Sequence, residues 1–557
     1  MCDNKCTFAA VFRIITINRK MNTKAFLAVA TMMLTATTEA TAGGILTNTN
    51  QSIDFLRNPA RDAAIGLDGV YSNPAGVAFL SEGFHLGLNW QYARQTRSIT
   101  STDPLFTLGK KNNGHDTKVF EGTAEAPIIP SIQAAWNRGN WSWQFNFSVP
   151  GGGGKCEFAN GLASFEREVG KIASSFMQLD AMANKLNAAA PLLYSKLGRA
   201  VPANVLVNNV TGYNMNSLME GRQYYFGVQV GTAYKINEKV SVYGGLRLLY
   251  GDATYKARIS NIQVTTADGD QDFANFLLKV SQQKQELTGR AQEMMDIINA
   301  IPDAAMAAMS ETDRAALTQM KAELQGGMAA LSDPETQKMA AELPKYSQGV
   351  NLLANQTGLG IAPVIGIDYK LNDHFNFAAK YEFKTQMRMK NESTVFEAGL
   401  IEAVNKYVDE EKVNEDTPAL LTVGAQWSPI SQVRINAGGH YFFDKQADWY
   451  NNTQERLDHN TYEILAGAEW DINNKLTISL GGQLTRYGLT DEYMNDISFV
   501  VNSYSIGFGA NYKVSEKVKL KAAFFQTEYG NYERTTPTKD TFTRTNRVLG
   551  IGCDIDI

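Results

Sequence analysis

The sequence predicts an all-β fold, a 14-stranded antiparallel transmembrane β-barrel with an N-terminal hatch plugging the lumen and helical extracellular loops. Three observations predict it. Segments of about ten residues alternate apolar or aromatic side chains with small or polar ones. The links between them switch strictly between tight turns and long loops, the signature of an up-and-down barrel. No uncharged apolar run approaches the roughly 20 residues that a spanning helix needs, which argues against a helical membrane protein. A mean hydropathy of −0.26 over 557 residues fits, because alternating strands average to a soluble-looking value. The formal charge of −5, with no clustered basic face, argues against nucleic acid as a partner.

Taken in order, the chain opens with a targeting segment. Lys20 and Lys24 precede an apolar stretch from Ala25 to Leu34, and Ala40-Thr41-Ala42 supplies a small-residue cleavage site. Residues 1–42 are expected to be a signal peptide, with Met21 a possible start that would make 1–20 an upstream extension. No cysteine follows the apolar core, so a lipid anchor is not expected. Only Cys156 and Cys553 would reach the exported chain, too few for a disulfide framework.

Residues 43–82 do not read as a strand. They carry Asn58-Pro59-Ala60 and a second Asn73-Pro74-Ala75 within a small-residue run, the composition of a segment that folds compactly in a confined space. The barrel is expected over 83–557. Its first strand sets Phe84, Leu86, Leu88, Trp90 and Tyr92 against His85, Gly87, Asn89, Gln91 and Ala93, and thirteen similar segments follow, ending in Leu549, Ile551, Cys553, Ile555 and Ile557 against Gly550, Gly552, Asp554 and Asp556. Short turns are read at 137–140, 237–238, 372–373, 428–432, 473–474 and 515–516, and long links between them at about 94–126, 150–222, 261–357, 391–417, 447–458, 488–496 and 531–542. Charge at lipid depth costs roughly 2–4 kcal/mol near the midplane, so the apolar parity must face lipid and the other parity the lumen. Arg247, Lys380 and Lys384 then become lumen charges, either paired among themselves or available to a ligand.

Two long links, at about 150–222 and 261–357, show helical rather than strand periodicity. Phe165, Ile172 and Phe176 lie on the stripe of the first; Phe273, Phe276, Leu277 and Met294 lie on that of the second, which Pro302 ends before a further stripe from Thr312 to Leu324. These stripes are expected to pack on each other as a cap, and they also suit an apolar groove where a greasy ligand first lodges.

With the hatch motif at this distance from the cleavage site and ahead of such a barrel, the chain resembles the FadL/TodX family of outer-membrane transporters for hydrophobic compounds. The resemblance covers hatch, barrel and the helical loops after the third and fifth strands. It implies passive uptake of long-chain fatty acids or similar apolar molecules in the outer membrane, both termini in the periplasm, a monomer, a hydrophobic small-molecule ligand and surrounding lipid as partners, and no cofactor. It also implies sideways exit through a gap at a kink in the third strand. Here Trp141–Val149 runs directly into Pro150-Gly151-Gly152-Gly153-Gly154; proline removes a ladder donor and glycines permit bends, so pairing with the next strand is expected to fail there. The lumen bases that hold a carboxylate in the family have no one-to-one match in this chain, and Ile557 replaces the aromatic terminus common in such barrels.

No catalytic pattern competes with this reading. The five histidines form no metal-binding spacing, Gly151–Lys155 lacks the context of a phosphate loop, no nucleophile elbow occurs, and neither an enzyme nor a metal site is expected. Two other readings stay open: a polar-solute porin, and a surface interaction protein anchored by its barrel.

Overall fold

The computed structural model describes residues 47–557 apart from 335–336, 338–340, 342, 345–348 and 398–405. The expected signal peptide and the first residues of the hatch lie outside the described residues.

Fourteen strands close into an antiparallel barrel: β1 Gly83–Thr102, β2 Thr117–Arg138, β3 Trp141–Phe158, β4 Val210–Lys235, β5 Val240–Thr266, β6 Val350–Lys370, β7 Phe375–Glu382, β8 Leu420–Ile430, β9 Val433–Phe442, β10 Tyr462–Asp471, β11 Leu476–Arg486, β12 Ser503–Lys513, β13 Val518–Tyr529 and β14 Lys539–Asp556. Closure is made by β1 on β14, with His85 opposite Asp556 and Thr102 opposite Lys539. Four short strands decorate this cylinder. Arg388–Glu397 and Lys412–Asn414 prolong β7 and β8, while Gly269–Asp272 and Tyr532–Arg534 pair at the ends of β5 and β14.

The expected alternation decides which way each strand faces. Leu88, Trp90, Leu246, Leu248, Phe375, Phe377, Ile551 and Ile557 are exposed on the outer surface, whereas Asn89, Gln91, Arg247, Asn376, Lys380 and Asp554 are buried inside. Trp136, Trp141, Trp143 and Tyr234 stack outside the feet of β2, β3 and β4, with ring centroids 4.7–6.3 Å apart in successive contacts. Amphipathic rings of this kind suit the membrane–water boundary.

Several strands run further than the sequence marks, reaching Thr102, Phe158 and Thr266 or starting at Thr117, Val210 and Val350. Away from lipid the outward residues turn polar, as Thr96, Ser98 and Thr100 do in β1, so the contrast between faces fades while the ladder continues. The tight turns stand where the Asn-rich signals place them. Asn237 and Asn473, for example, accept from the amides two and three residues on.

The helical inserts form a second compact unit, spanning Ser175–Val210 and Phe273–Ser347. Helix α3, Ala163–Lys196, lies between β3 and β4; the second insert carries α4 Phe273–Asn299, α5 Asp303–Ala308 and α6 Glu311–Ser332. (Two short helices of the hatch, α1 Ile53–Arg57 and α2 Gly69–Ser72, precede β1.) Within this unit Ala190, Leu193 and Tyr194 of α3 pack with Met294, Met295 and Ile298 of α4 and Leu324 of α6. Among the described residues no helix is long and apolar enough to cross a membrane.

Candidate functional site

The lumen is filled by the hatch. Ser52 caps α1 by accepting from the Phe55 amide, Asn73 ends α2, and the turn Gly76–Phe79 completes the segment. Residues 51–64 are buried throughout. A chain this short cannot bury its own backbone, so the barrel wall supplies the partners. The motif expected from the sequence, Asn73-Pro74-Ala75, is tied to the wall at each residue: Asn73 Nδ2 donates to Asp368 at 2.6 Å, Gln144 donates to the Pro74 carbonyl at 2.7 Å, and Ser241 donates to the Ala75 carbonyl at 2.6 Å. Wall strands β3, β5 and β6 thus each hold one residue of the motif.

Elsewhere the hatch is held by charge. Arg57 and Arg61 both reach Glu469, at 2.7 and 2.8 Å, and Arg61 also pairs with Asp68 at 2.8 Å. Lys521 bridges Asp54 of α1 to Asp554 of β14. His440 sits between Asp62 and Glu463, at 3.0 and 2.7 Å. Buried ions are tolerable only when matched this closely.

The seat under residues 56–63 is made of glycines on the lumen parity. Gly424 opposes Gly438 across β8 and β9, and Gly481 opposes both Gly467 and Gly507 across β10, β11 and β12. A methyl group on Gly481 would stand 2.7 Å from Pro59 Cδ, on Gly424 2.6 Å from the Ala63 amide nitrogen, and on Gly507 or Gly438 hard against the Leu56 carbonyl or Asp62. Single-sequence reading sees these glycines only as small lumen residues. Their meaning lies in the cross-strand register, which brings them to one height.

The Pro150–Gly154 run does not end β3, which continues to Phe158. Nor does it break the ladder to the next strand. Pairing with β4 persists through two bulges, with Gly151 opposite Tyr225 and Gly154 opposite Gln223. Gly152 and Gly154, at φ 96° and 74°, absorb those bulges without the strain a side chain would bring. It is pairing with the preceding strand that lapses. β2 and β3 are in register from Ile132–Arg138 against Trp141–Phe147 and again from Thr123–Glu125 against Lys155–Glu157, and residues 126–131 and 148–154 between them face no partner across the seam.

The hatch covers this seam from inside. Thr47 bridges Gly151, and the Asn48 amide donates to the Pro150 carbonyl at 2.8 Å. Gln51 joins both sides: its side chain donates to the Val149 carbonyl at 3.0 Å and accepts from the Val149 amide at 2.9 Å, while its own carbonyl accepts from Ser131 and Gln133 of β2. Gln51 carries no local signature, because its role depends on a seam that only the paired strands define.

The lumen charges are paired. Arg247 makes a two-pronged contact with Glu382, Lys380 donates to Glu382 at 2.6 Å and to the Tyr71 carbonyl at 2.8 Å, and both cations lie 4.8 Å from the centre of the Tyr71 ring. Lys384 lies 3.3 Å from Asp416. The groove candidates are packed rather than open: Phe165 and Ile172 are buried, and in the helical unit Phe176 stacks on Phe273 and Phe276 at 6.3 and 5.5 Å, Met294 is buried, and Leu277 is partly exposed.

A cleft missed by sequence reading lies over the hatch. Thr47, Phe442, Trp449, Leu457, Tyr487, Tyr493 and Val500 line it, with Asp444 and Glu463 on its wall. Its loop residues are spread over the 443–461 and 487–502 connections, whose short 3-10 turns and bends carry no period that a sequence scan detects.

No family model matches the chain, and no curated protein matches it. Solved structures do. A FadL homologue of Pseudomonas aeruginosa matches over 92% of this chain and 99% of its own at 11% identity, with a TM-score of 0.54. The fold is FadL-like. Lower-scoring likenesses include the toluene transporters TodX of P. putida, at 12% identity over 88% of this chain and 94% of its own with a TM-score of 0.49, and TbuX of Ralstonia pickettii, at 11% over 90% and 97% with a TM-score of 0.45. That fold comprises the barrel, the segment inside its lumen and the helical loops.

Proposed function

We propose that the protein passively takes up long-chain fatty acids or comparable hydrophobic molecules across the outer membrane, releasing them sideways through the β2–β3 seam. The observation that carries this reading is the seam itself, where six residues of one wall strand and seven of the next are not paired with each other and a segment of the plug stands in for the missing ladder. A porin has no use for such a break, because polar solutes leave along the axis.

In this reading Phe176, Phe273, Phe276, Leu277 and Met294 of the helical unit part to admit the ligand, Phe165 and Ile172 are further contacts within the barrel unit, and the ligand also occupies the cleft lined by Phe442, Trp449 and Tyr493. Withdrawal of Thr47–Gln51 from Pro150–Gly154 opens the seam. Asn73-Pro74-Ala75 stays fixed to the wall and acts as the pivot. Each methylene moved from water into hydrocarbon gains about 0.8 kcal/mol, so a sixteen-carbon chain is drawn into the bilayer by on the order of 10 kcal/mol with no energy source. The termini are periplasmic and the barrel works as a monomer, since the route lies inside one chain.

Uptake of a labelled fatty acid into proteoliposomes, measured beside ion conductance, tests the proposal. Uptake with little conductance supports it; ready conductance without uptake overturns it in favour of a porin.

A further inference from the structure

Arg94 of β1 and Arg547 of β14 are register partners on the outward parity, so two guanidinium groups stand side by side on the outer surface where the barrel closes. Both residues are exposed. Like charges directly opposite one another in a ladder repel. The protein does little to balance them. Arg94 lies 3.4 Å from Glu125, in a pair whose side chains are 60% and 52% exposed, and among the described residues no carboxylate pairs with Arg547. The other register neighbour of Arg547 is Gln526 of β13. Gln526 turns its amide to Glu528, which stands opposite Thr545, one outward step nearer the long loops.

The position of the pair along its strands gives it a meaning. Toward the tight turns the next outward pairs are Tyr92 with Leu549 and Trp90 with Ile551; toward the long loops they are Thr96 with Thr545 and Ser98 with Thr543. Trp90, Leu549 and Ile551 are exposed. On these two strands the apolar outer surface therefore ends at Arg94 and Arg547, where a lipid places its headgroup. Phe524 of β13, opposite Leu549 and 5.6 Å from Phe508, widens the apolar shelf beneath the two cations. A guanidinium fork matches the oxygens of a phosphate, and a phosphate monoester carries about 1.5 to 2 negative charges at neutral pH, enough to balance both arginines.

We propose that Arg94 and Arg547 hold the headgroup of an outer-leaflet lipid that carries a phosphate monoester, while its acyl chains lie on Tyr92, Leu549 and Phe524. This rests on the outer-membrane setting of the proposed function, with the long-loop ends facing outward, and adds a fixed lipid at the wall. Neither arginine has a sequence signature beyond its parity; the site exists because barrel closure makes the first and last strands neighbours.

Native mass spectrometry of the full chain released from detergent compares retention of diphosphoryl lipid A with that of the same glycolipid stripped of its phosphates. EDTA is present, so that no divalent cation bridges the lipid to Glu125. Two poorly balanced cations set the expected preference for the phosphorylated lipid at roughly tenfold or more. Equal retention of the two lipids by the natural chain overturns the site, and needs no variant to fold. The Arg94→Gln, Arg547→Gln double variant is expected to lose the preference. Lys155→Gln with Arg222→Gln, which removes two cations paired with Glu220 and Asp252, is expected to keep it. Preference retained by the first variant, or lost in the second, overturns the site in favour of a diffuse attraction. Inorganic phosphate is expected to leave the lipid bound; displacement at equal concentration assigns the arginines to free phosphate and overturns the lipid. Fatty-acid uptake is not the readout, so a failed lipid comparison leaves the transport proposal standing and a failed uptake assay leaves this site standing.

Discussion

Gln51 hydrogen-bonds both backbone groups of Val149, donating to its carbonyl and accepting from its amide, so one hatch side chain does the work of a missing strand neighbour. Its main-chain carbonyl is held at the same time by Ser131 and Gln133 across the seam. Replacing it by alanine leaves the Val149 amide without an acceptor while the β3–β4 ladder stays intact. A net loss of about 1 kcal/mol for such a bond predicts roughly fivefold faster hydrogen exchange at Val149, with little change at Phe145. Unchanged exchange at Val149 would show that Gln51 does not hold the seam.

The glycine seat makes a second prediction. In Gly481→Leu the new side chain occupies the space of Pro59, and in Gly507→Val that of the Leu56 carbonyl. Neither position faces lipid, so the barrel still inserts and keeps its heat-modifiable migration. The hatch is displaced, and planar-bilayer recordings are expected to show higher conductance than those of the natural chain. A variant as silent as the parent counts against a rigid seat.

Asn73 and Asp368 offer a third. Asn73→Ala removes one of the two amide donors that Asp368 receives, the other being Asn376 at 2.9 Å. Leaving a buried carboxylate half-satisfied costs about 1–3 kcal/mol. Limited proteolysis between residues 60 and 80 should accelerate accordingly. The double variant with Asp368→Asn, which removes the charge, should recover much of the resistance.

Asp444, in the connection after β9, gives a pH dependence. Burial pushes its carboxyl up to about 6 from an ordinary value of 3.8. The folded loop therefore holds a proton that the unfolded chain releases, so stability is greatest on the acid side and falls as pH rises from about 4 to about 6, by on the order of 3 kcal/mol in all. Exchange of the Thr461 amide, which donates to Asp444, should rise over that interval beyond the intrinsic trend. Asp444→Asn should abolish the excess.

The barrel was legible because its determinant is local. Phe375, Phe377 and Tyr381 against Asn376, Lys380 and Glu382 fix a strand's facing without reference to any other strand, and Asn237 or Asn473 fixes a turn through its own amides. The site was legible only where a motif was local too, as with Asn73-Pro74-Ala75. Pro150–Gly154 was expected to break pairing with β4, but its glycines absorb two bulges there and that ladder persists; the lapse lies toward β2, which the run's composition does not specify. Gln51, the glycine seat and Arg94 beside Arg547 are relations between strands distant in the chain, and no window of sequence contains both members.

The broken seam also bears on mechanics. A cylinder of hydrogen-bonded staves resists widening through its circumferential bonds, and β2–β3 carries none of them over its middle third. Hoop stress imposed by the bilayer must concentrate there, braced at the foot by the Trp136, Trp141, Trp143 and Tyr234 stack and at the top by Thr123–Glu125. The cross-section thus has one soft meridian, and membrane thickness or lateral pressure acts on the molecule chiefly by prising or pinching that line.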